Sequence, residues 1–290
     1  MKSSRALLEL HTAVALFGVA GLFGKLVEVS SSLLVFGRSS TAAIAIALLL
    51  IWQGRSLLPG QRHSILLIAS GLLLAVHWLT FFHAIQTSSV AIGLVGFATF
   101  PLFVTLLEPL GFGGKWRHRD WLTALLVLIG LFLVAPEFNL DNQATVALLW
   151  AVLSGFLFAI LTLCSRKLVE NQSVYVVSLW QHAISAVVML PLAWHTLGEI
   201  NAEQLGWLLI LGTLCTALPH SLFIKALQTI KAHTASIIVG LEPVYGIVFA
   251  ALFLGEIPTL TTLLGALIVL IAVGLAVHWQ KMEGSEHSPQ

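Results

Sequence analysis

The chain is a succession of apolar segments, each about as long as a membrane is thick. Ten stretches of roughly 18–25 residues carry few charges, and a helix needs about that length to cross ~30 Å of hydrocarbon. Short breaks rich in glycine, proline and basic residues separate them, as between Gly54 and Gly60. The predicted spans are 10–28, 33–52, 64–86, 89–110, 119–136, 144–166, 174–196, 204–228, 232–254 and 260–279.

The composition excludes a water-facing globular domain. Hydrophobic residues make up 58% of the chain and charged residues only 9%, whereas soluble domains carry about a quarter charged residues. The formal net charge of +1 gives no reason to expect a nucleic-acid partner. We therefore predict an all-α membrane protein with ten transmembrane helices.

A second feature is an internal duplication. A constant offset of 142 residues aligns three separate places without a gap: Lys25–Glu28 with Lys167–Glu170, Ala84–Thr87 with Ala226–Thr229, and Pro101 with Pro243. A fixed-period repeat of this kind determines the architecture. We expect a first five-helix repeat at 1–142, a second at 143–280, and a disordered cytoplasmic tail at 281–290. Because five is odd, the second repeat must be inverted in the membrane.

Basic residues predict the orientation of the spans. With the N-terminus in the cytoplasm, the inner regions hold eleven lysines and arginines, while the outer loops hold Lys25 alone. This bias matches the positive-inside rule. Both termini are therefore expected in the cytoplasm, and the expected location is a bacterial inner membrane.

Inverted repeats are typical of secondary transporters, whose substrate site lies between the repeats near the midplane. The sequence contains no phosphate-binding loop ending in Gly-Lys-Ser/Thr, so ATP is not expected as the direct energy source. We predict a transporter rather than an enzyme, with no catalytic residues, no cofactor and no metal site.

The charged residues inside the spans are candidates for the substrate site. Glu242 lies near the centre of the ninth span, where a carboxylate costs several kcal/mol unless it is paired or hydrated. Tyr245 lies one turn further along the same helix face. Arg38 lies about two turns into the second span, too deep for easy contact with headgroups. A structural role for Glu242 beside a proline is the alternative interpretation.

Polar and aromatic pairs in the third and seventh spans complete the candidates. They are His77 with Trp78, and Trp180 with Gln181. Packing between helices or against lipid would explain the same residues. Two further candidates, Pro101 and Pro243, are repeat equivalents. Each removes one backbone hydrogen bond, and matching helix breaks in both halves point to the transport path and its gates.

Several of these stretches together resemble a known family. They are Phe17–Lys25, Arg38, Thr80–Phe103 and Leu241–Glu256. The whole chain is similar to the drug/metabolite transporter superfamily, in its EamA-type ten-helix branch. One departure is Gly113–Lys115, which stands where the second half has Gly255–Glu256. The resemblance implies a gradient-driven carrier of small organic solutes, commonly an exporter of amino acids or related metabolites, working by alternating access.

Alternatives remain at this point. A sugar-phosphate or nucleotide-sugar exchanger needs basic residues that face the cavity, and only Arg38 and Lys225 qualify. An intramembrane enzyme would use Glu242 with a buried histidine, and a receptor would bind a ligand without moving it. The expected partners are a small-molecule substrate and the lipid bilayer, with a homodimer left open and no nucleic acid.

Overall fold

The computed structural model describes residues 2–60, 64–112, 118–134 and 139–286, and this part of the chain is helical with no strand. Thirteen α-helices are described. They are α1 Lys2–Leu26, α2 Ser31–Trp52, α3 Ser64–Thr87, α4 Val90–Phe97, α5 Phe100–Phe112, α6 His118–Val134, α7 Gln143–Leu168, α8 Val174–Ala193, α9 Ala202–Gly212, α10 Leu218–Ala226, α11 Ala232–Val239, α12 Glu242–Leu254 and α13 Leu260–Glu286.

These helices form membrane-length segments. Among the described residues, eight segments are long and apolar enough to cross a bilayer by length and composition, and some of them combine two consecutive helices. Two shorter apolar helices, Leu122–Val134 and Leu260–Ala272, occupy the places of the remaining predicted spans. The protein is therefore an all-α, multi-pass membrane protein. The last helix, α13, continues to Glu286, six residues into the segment predicted to be a disordered tail. Residues 113–115, where the sequence departs from the family pattern, lie outside the described residues.

The helix boundaries keep the 142-residue offset. Residues 90–97 and 100–112 of the first half correspond to 232–239 and 242–254 of the second, with no residue of difference at either end. The chain between α6 and α7 has only eight residues, so α7 starts on the side where α6 ends. Five spans in each half then make the two repeats inverted relative to each other.

The fourth and ninth spans are each broken in two at equivalent positions. The break between α4 and α5 lies at Ala98–Thr99, and the break between α11 and α12 lies at Gly240–Leu241. Pro101 and Pro243 are the second residues of the helices that follow. Proline is tolerated there because the first turn of a helix has unpaired N–H groups in any case. The prolines thus begin new helices instead of bending continuous ones.

Helix packing follows the same symmetry. Helix α2 packs on its own equivalent α8, and α6 on its equivalent α13. Helix α1 packs on α10 and α12, and the equivalent α7 packs on α3 and α5. The α6–α13 crossing is tight, because a Cβ on Gly130 would lie 2.8 Å from the carbonyl oxygen of Gly265, and one on Gly265 would lie 2.5 Å from that of Gly130. Helices in membranes use small residues for such approaches.

Candidate functional site

The candidate site is a small cavity in the middle of the bundle. Its volume is about 30 Å³, far below the ~300–1,000 Å³ that is typical of small-molecule sites. Seven helices from both halves contribute to the wall. The lining residues are Phe17, Ala20, Arg38, His77, Trp78, Phe81, Phe97, Phe158, His220 and Glu242. The cavity therefore combines an acid, a base and two histidines with an aromatic wall.

Arg38 is held rigidly although it is only 2% exposed. Its Nε donates a hydrogen bond to Oγ1 of Thr216 at 3.1 Å. Its Cζ lies 3.9 Å from the centre of the Trp78 ring and 5.0 Å from that of Phe82, so cation–π attraction replaces part of the lost hydration. No hydrogen bond from its terminal nitrogens is found within the described residues. These nitrogens are the part of Arg38 that a ligand can use.

The hydroxyl that anchors Arg38 depends on an unusual helix turn. Residues Thr213–Ala217, between α9 and α10, form a π-helical turn. Thr216 donates its own hydroxyl hydrogen to the carbonyl oxygen of Leu211, five residues back, at 2.6 Å. Its oxygen lone pairs are then free to accept from Arg38. Single π-turns inside helices occur frequently at functional sites.

Glu242 is the first residue of α12 and reaches the cavity because α12 lies close to α1. A Cβ on Gly18 would lie 2.9 Å from the backbone nitrogen of Gly246 and from Cβ of Tyr245. Glu242 is 4% exposed, and within the described residues its carboxylate has no hydrogen bond and no ion pair within 4.0 Å. The charge of Arg38 acts on it across the cavity. The two opposite charges thus face one space without contacting each other.

His77 lies among aromatic rings and is fixed from one side. Its Nδ1 is 2.8 Å from Oγ and 3.1 Å from the carbonyl oxygen of Ser154 on α7. The ring centres of Phe81, Phe97 and Phe158 lie 6.2, 5.5 and 4.7 Å from that of His77. Helix α7 comes this close because Gly155, next to Ser154, has no side chain to displace the backbone of Phe97.

A second buried polar chain supports His220. Its Nε2 lies 3.0 Å from Oε1 of Gln181, whose Nε2 donates to Oγ of Ser165 at 2.9 Å. His182, which does not line the cavity, lies with its ring centre 4.7 Å from that of His220. Nδ1 of His182 bonds the carbonyl oxygen of Ser178 at 2.6 Å, while its buried Nε2 has no partner in the described part of the chain.

The structure places four of the seven candidate residues on the cavity wall: Glu242, Arg38, His77 and Trp78. The other three lie elsewhere. Trp180 faces away and donates to the carbonyl oxygen of Leu57 at 2.8 Å, Gln181 lies behind His220, and Tyr245 packs at the α1–α12 crossing.

Sequence reasoning missed His220 and the phenylalanines of the wall. A signal for His220 existed, since it is the repeat equivalent of Trp78, which was already a candidate. For the phenylalanines no signal distinguishes a cavity wall from ordinary packing. Within the described residues, no group of three His, Cys, Asp or Glu side chains is arranged to hold a metal ion.

Two further clefts lie at opposite ends of the bundle. One, of about 500 Å³, includes Lys25, Glu28 and Gln86; the other, of about 380 Å³, includes Glu170 and Gln228. Glu28 and Gln86 correspond to Glu170 and Gln228 under the 142-residue offset. The clefts are thus counterparts in the two repeats, as inverted repeats require.

The two ends are closed differently. At the end where α1 begins, Glu9 pairs with Lys225 at 2.6 Å and Glu108 pairs with Arg166 at 2.9 Å, and each pair joins the two halves. At the other end, no ion pair between the halves is found within the described residues. The halves meet there through hydrogen bonds to or from the backbone, such as those from Gln204 to the carbonyl oxygen of Glu28 at 3.0 Å and from the backbone N–H of Ala91 to Oε1 of Glu256 at 3.5 Å.

Comparison with known proteins agrees with this architecture. The family model for the EamA-like transporter family matches the chain twice, over residues 5–135 and 145–277. The chain belongs to the EamA-like transporter family. The double match falls on the two repeats, and the family identifies the protein as a membrane transporter.

Curated relatives of this EamA-like chain carry transporter names. "Uncharacterized transporter YxxF" of Bacillus subtilis is 24% identical over 98% of this chain and 92% of its own length. "Pseudopaline exporter CntI" of Pseudomonas aeruginosa is 25% identical over 82% of this chain and 83% of its own length. A solved crystal structure shares the fold, with a TM-score of 0.72, 16% identity, and coverage of 96% of this chain and 98% of that one.

Proposed function

We propose that this protein is a secondary active exporter of amino acids or closely related zwitterions that works by alternating access. The observation that carries the proposal is the pair Arg38 and Glu242, which face one cavity with opposite charges and do not bond each other. A zwitterion between them would give its carboxylate to Arg38 and its ammonium group to Glu242. Each buried charge would then be paired, which is the condition under which buried charges are stable.

The small size of the cavity supports a mechanism in which the site opens to one side at a time. A cavity of about 30 Å³ is much smaller than the ~300–1,000 Å³ of ordinary ligand sites, so the wall must move before an amino acid enters. The breaks at Ala98–Thr99 and Gly240–Leu241 are places where a span can bend, and the two end clefts are the openings that such bending would extend inward. Pro101 and Pro243 are the proposed gating positions.

The charges of the cavity favour an amino acid over a phosphate ester. Within the described residues, Arg38 is the single lysine or arginine on the wall, and Lys225 is paired with Glu9 instead. A phosphate dianion would face one cation and would be repelled by an ionised Glu242. The site thus offers an opposite charge to each charged group of a zwitterion, whereas part of the negative charge of a sugar phosphate would have no partner.

The distribution of basic residues and the name of one relative support the direction and the location. The excess of basic residues on one side favours both termini in the cytoplasm of a bacterial inner membrane, and one relative is named an exporter. Reporter fusions at Gln290 check this orientation. A phosphatase reporter that is active there, with a cytoplasmic reporter inactive, contradicts it.

The function is tested by flux in proteoliposomes. Radiolabelled L-leucine, L-phenylalanine and L-methionine are compared with glucose 6-phosphate, with and without an imposed pH gradient. We expect saturable flux of at least one amino acid, faster with the gradient, and none of the phosphate. Flux of glucose 6-phosphate alone, or no flux of any amino acid, contradicts the proposal.

Glu242→Gln tests the role of the carboxylate. The amide keeps the shape but cannot ionise, so flux normalised to folded protein should fall by at least about 30-fold, the loss expected when one partner of a buried charge pair is removed. Glu203→Gln, at an exposed glutamate near one end of the bundle, is the matched control and should keep its flux. Normal normalised flux in Glu242→Gln would mean that this carboxyl is structural.

A further inference from the structure

The cavity wall offers an unusual set of hydrogen-bonding groups, and the tautomers of its two histidines determine what the set can bind. Each histidine has one ring nitrogen engaged by the protein. The other nitrogen makes no hydrogen bond within the described residues. In a neutral imidazole, the engaged nitrogen dictates whether the remaining one is a donor or an acceptor.

For His77 the engaged nitrogen is a donor. Nδ1 lies 3.1 Å from the carbonyl oxygen of Ser154, which can only accept. The hydroxyl of Ser154 donates its hydrogen to the carbonyl oxygen of His77 at 3.1 Å, so it does not need a lone pair from the ring. Nδ1 therefore carries the hydrogen, and Nε2 is a bare acceptor on a ring that lines the cavity.

For His220 the argument passes through an amide. Nε2 of Gln181 donates to Ser165, which turns Oε1 of Gln181 toward His220 at 3.0 Å. An amide oxygen only accepts, so Nε2 of His220 carries the hydrogen. Nδ1 of His220 is then the bare acceptor. Both rings are almost fully buried, and loss of hydration disfavours a charged ring.

Together with the unbonded carboxylate of Glu242, these nitrogens give the cavity three acceptors. A primary ammonium group has three N–H donors. We infer that His77, His220 and Glu242 form a recognition site for a primary ammonium group, and that they exclude substrates whose amine is methylated. The inference rests on the proposed function. It adds that the site distinguishes amines by their number of N–H bonds as well as by their charge.

The physical reason for selectivity is the cost of an unpaired acceptor. Each methyl group on the amine removes one N–H, leaves one buried acceptor without a partner and adds volume to a small cavity. A site built to bond a substrate N–H rejects an analogue that lacks it much more strongly than an apolar pocket does. We expect roughly a fivefold or greater loss of apparent affinity for each methyl group, from a cost of about 1 kcal/mol or more per unmade bond.

The test uses competition in proteoliposomes. Flux of radiolabelled L-leucine, whose apolar side chain suits a phenylalanine wall, is measured against unlabelled L-leucine and its N-methyl, N,N-dimethyl and N,N,N-trimethyl derivatives. The last keeps a positive charge but has no N–H. We expect the half-inhibitory concentration to rise at every step. Equal competition by L-leucine and the trimethyl derivative overturns the inference and leaves the proposed function intact. If no L-leucine flux is found, L-leucine is not a substrate and the inference is contradicted. The proposed function is then decided separately, by the flux of the other amino acids and of glucose 6-phosphate.

A variant shows whether the tautomer of His220 matters. Gln181→Met removes the acceptor that fixes His220, with similar volume, and Gln181 acts as a positioning residue. The ratio of the half-inhibitory concentrations for N,N-dimethyl-L-leucine and L-leucine should fall about fivefold. Trp180→Phe, at the neighbouring residue that faces away from the cavity, should keep the ratio. An unchanged ratio in folded Gln181→Met contradicts the role of Gln181, and a changed ratio in Trp180→Phe contradicts the assignment to this face of the helix.

Discussion

The two halves of the molecule share one backbone plan but bring different chemistry to the cavity. Glu242 stands where the first half has Phe100, and His220 stands where it has Trp78. The difference shows that the helical scaffold of the two halves can stay the same while the side chains of the site differ. Helix breaks and crossings need only apolar or small residues at given places, so the side chains that face the cavity were free to change in each half.

Polar residues of the first half likewise correspond to apolar or aromatic residues of the second. Arg38 of the first half corresponds to Trp180 of the second, and His77 corresponds to Pro219. Each polar group on the cavity wall thus has an apolar or aromatic counterpart. The cavity is consequently asymmetric although it lies between symmetric helices, and the comparison of equivalent positions is the most direct way to test which side chains bind substrate.

The largest expected effect comes from Arg38 and its counterpart. Arg38→Ala removes the cation that we propose for the substrate carboxylate and leaves Glu242 without a balancing charge. Amino-acid flux per folded molecule should fall at least about 30-fold, as for other truncated buried charge pairs. Trp180→Ala, at the equivalent position, should change flux less than about threefold. Similar losses in both variants would show that the halves contribute alike.

A smaller effect is expected at the π-helical turn, which the described first half lacks. Thr216→Val removes the acceptor for Nε of Arg38, and an unmade bond to a buried charged group costs about 1–3 kcal/mol. We expect KM for the transported amino acid to rise about tenfold with kcat changed little. Thr213→Val is the control and should leave KM as it is, because the Thr213 hydroxyl in the same turn bonds the carbonyl oxygen of Leu209 instead. A wild-type KM in Thr216→Val would remove the turn from substrate recognition.

The symmetric part of the molecule should respond symmetrically. Gly130→Ala and Gly265→Ala each place a methyl group against a backbone carbonyl across the α6–α13 crossing. Both should lower the melting temperature in detergent by a few degrees, in line with overpacking costs of about 1–3 kcal/mol. Gly206→Ala meets no atom within 4 Å and should not lower it. If only one of these two variants lowers the melting temperature, the two sides of the α6–α13 crossing are not equivalent.

The smallest effect concerns the unequal ends. Glu9→Gln removes an ion pair between the halves at the end where α1 begins, and partly exposed pairs contribute about 1 kcal/mol or less. We expect a small drop in melting temperature that shrinks at high salt, because salt screens the pair in the native protein. Glu203→Gln, at the opposite end, should show no such salt dependence. Equal behaviour of the two variants would mean that the ends do not differ electrostatically.

Much of the fold could be predicted from the sequence because each span is a local signal. The apolar runs indicated the membrane class, and the offset that aligns Lys25–Glu28 with Lys167–Glu170 indicated the repeats. The broken spans were less visible. A proline such as Pro243 is equally compatible with a bend within one helix and with the start of another, and the choice depends on tertiary packing.

The site could be predicted only in part, because a membrane helix does not mark which face is turned inward. Lipid and protein core are both apolar, so the pattern that identifies the buried face of a soluble helix is weak. Trp180 and Gln181 are adjacent and both were candidates, yet neither lines the cavity. Glu242 and Arg38 were identifiable because a charged side chain inside a membrane is costly and rarely faces lipid.

The small size of the central cavity has a consequence for the cell. A carrier sits in a membrane that stores energy as ion gradients, and any continuous file of water through it would dissipate them. With a central cavity of only about 30 Å³, lined largely by aromatic rings, the protein in this conformation leaves little room for such a file at its centre. The residues that must move apart to admit a substrate therefore also limit the leakage of ions when no substrate is being transported.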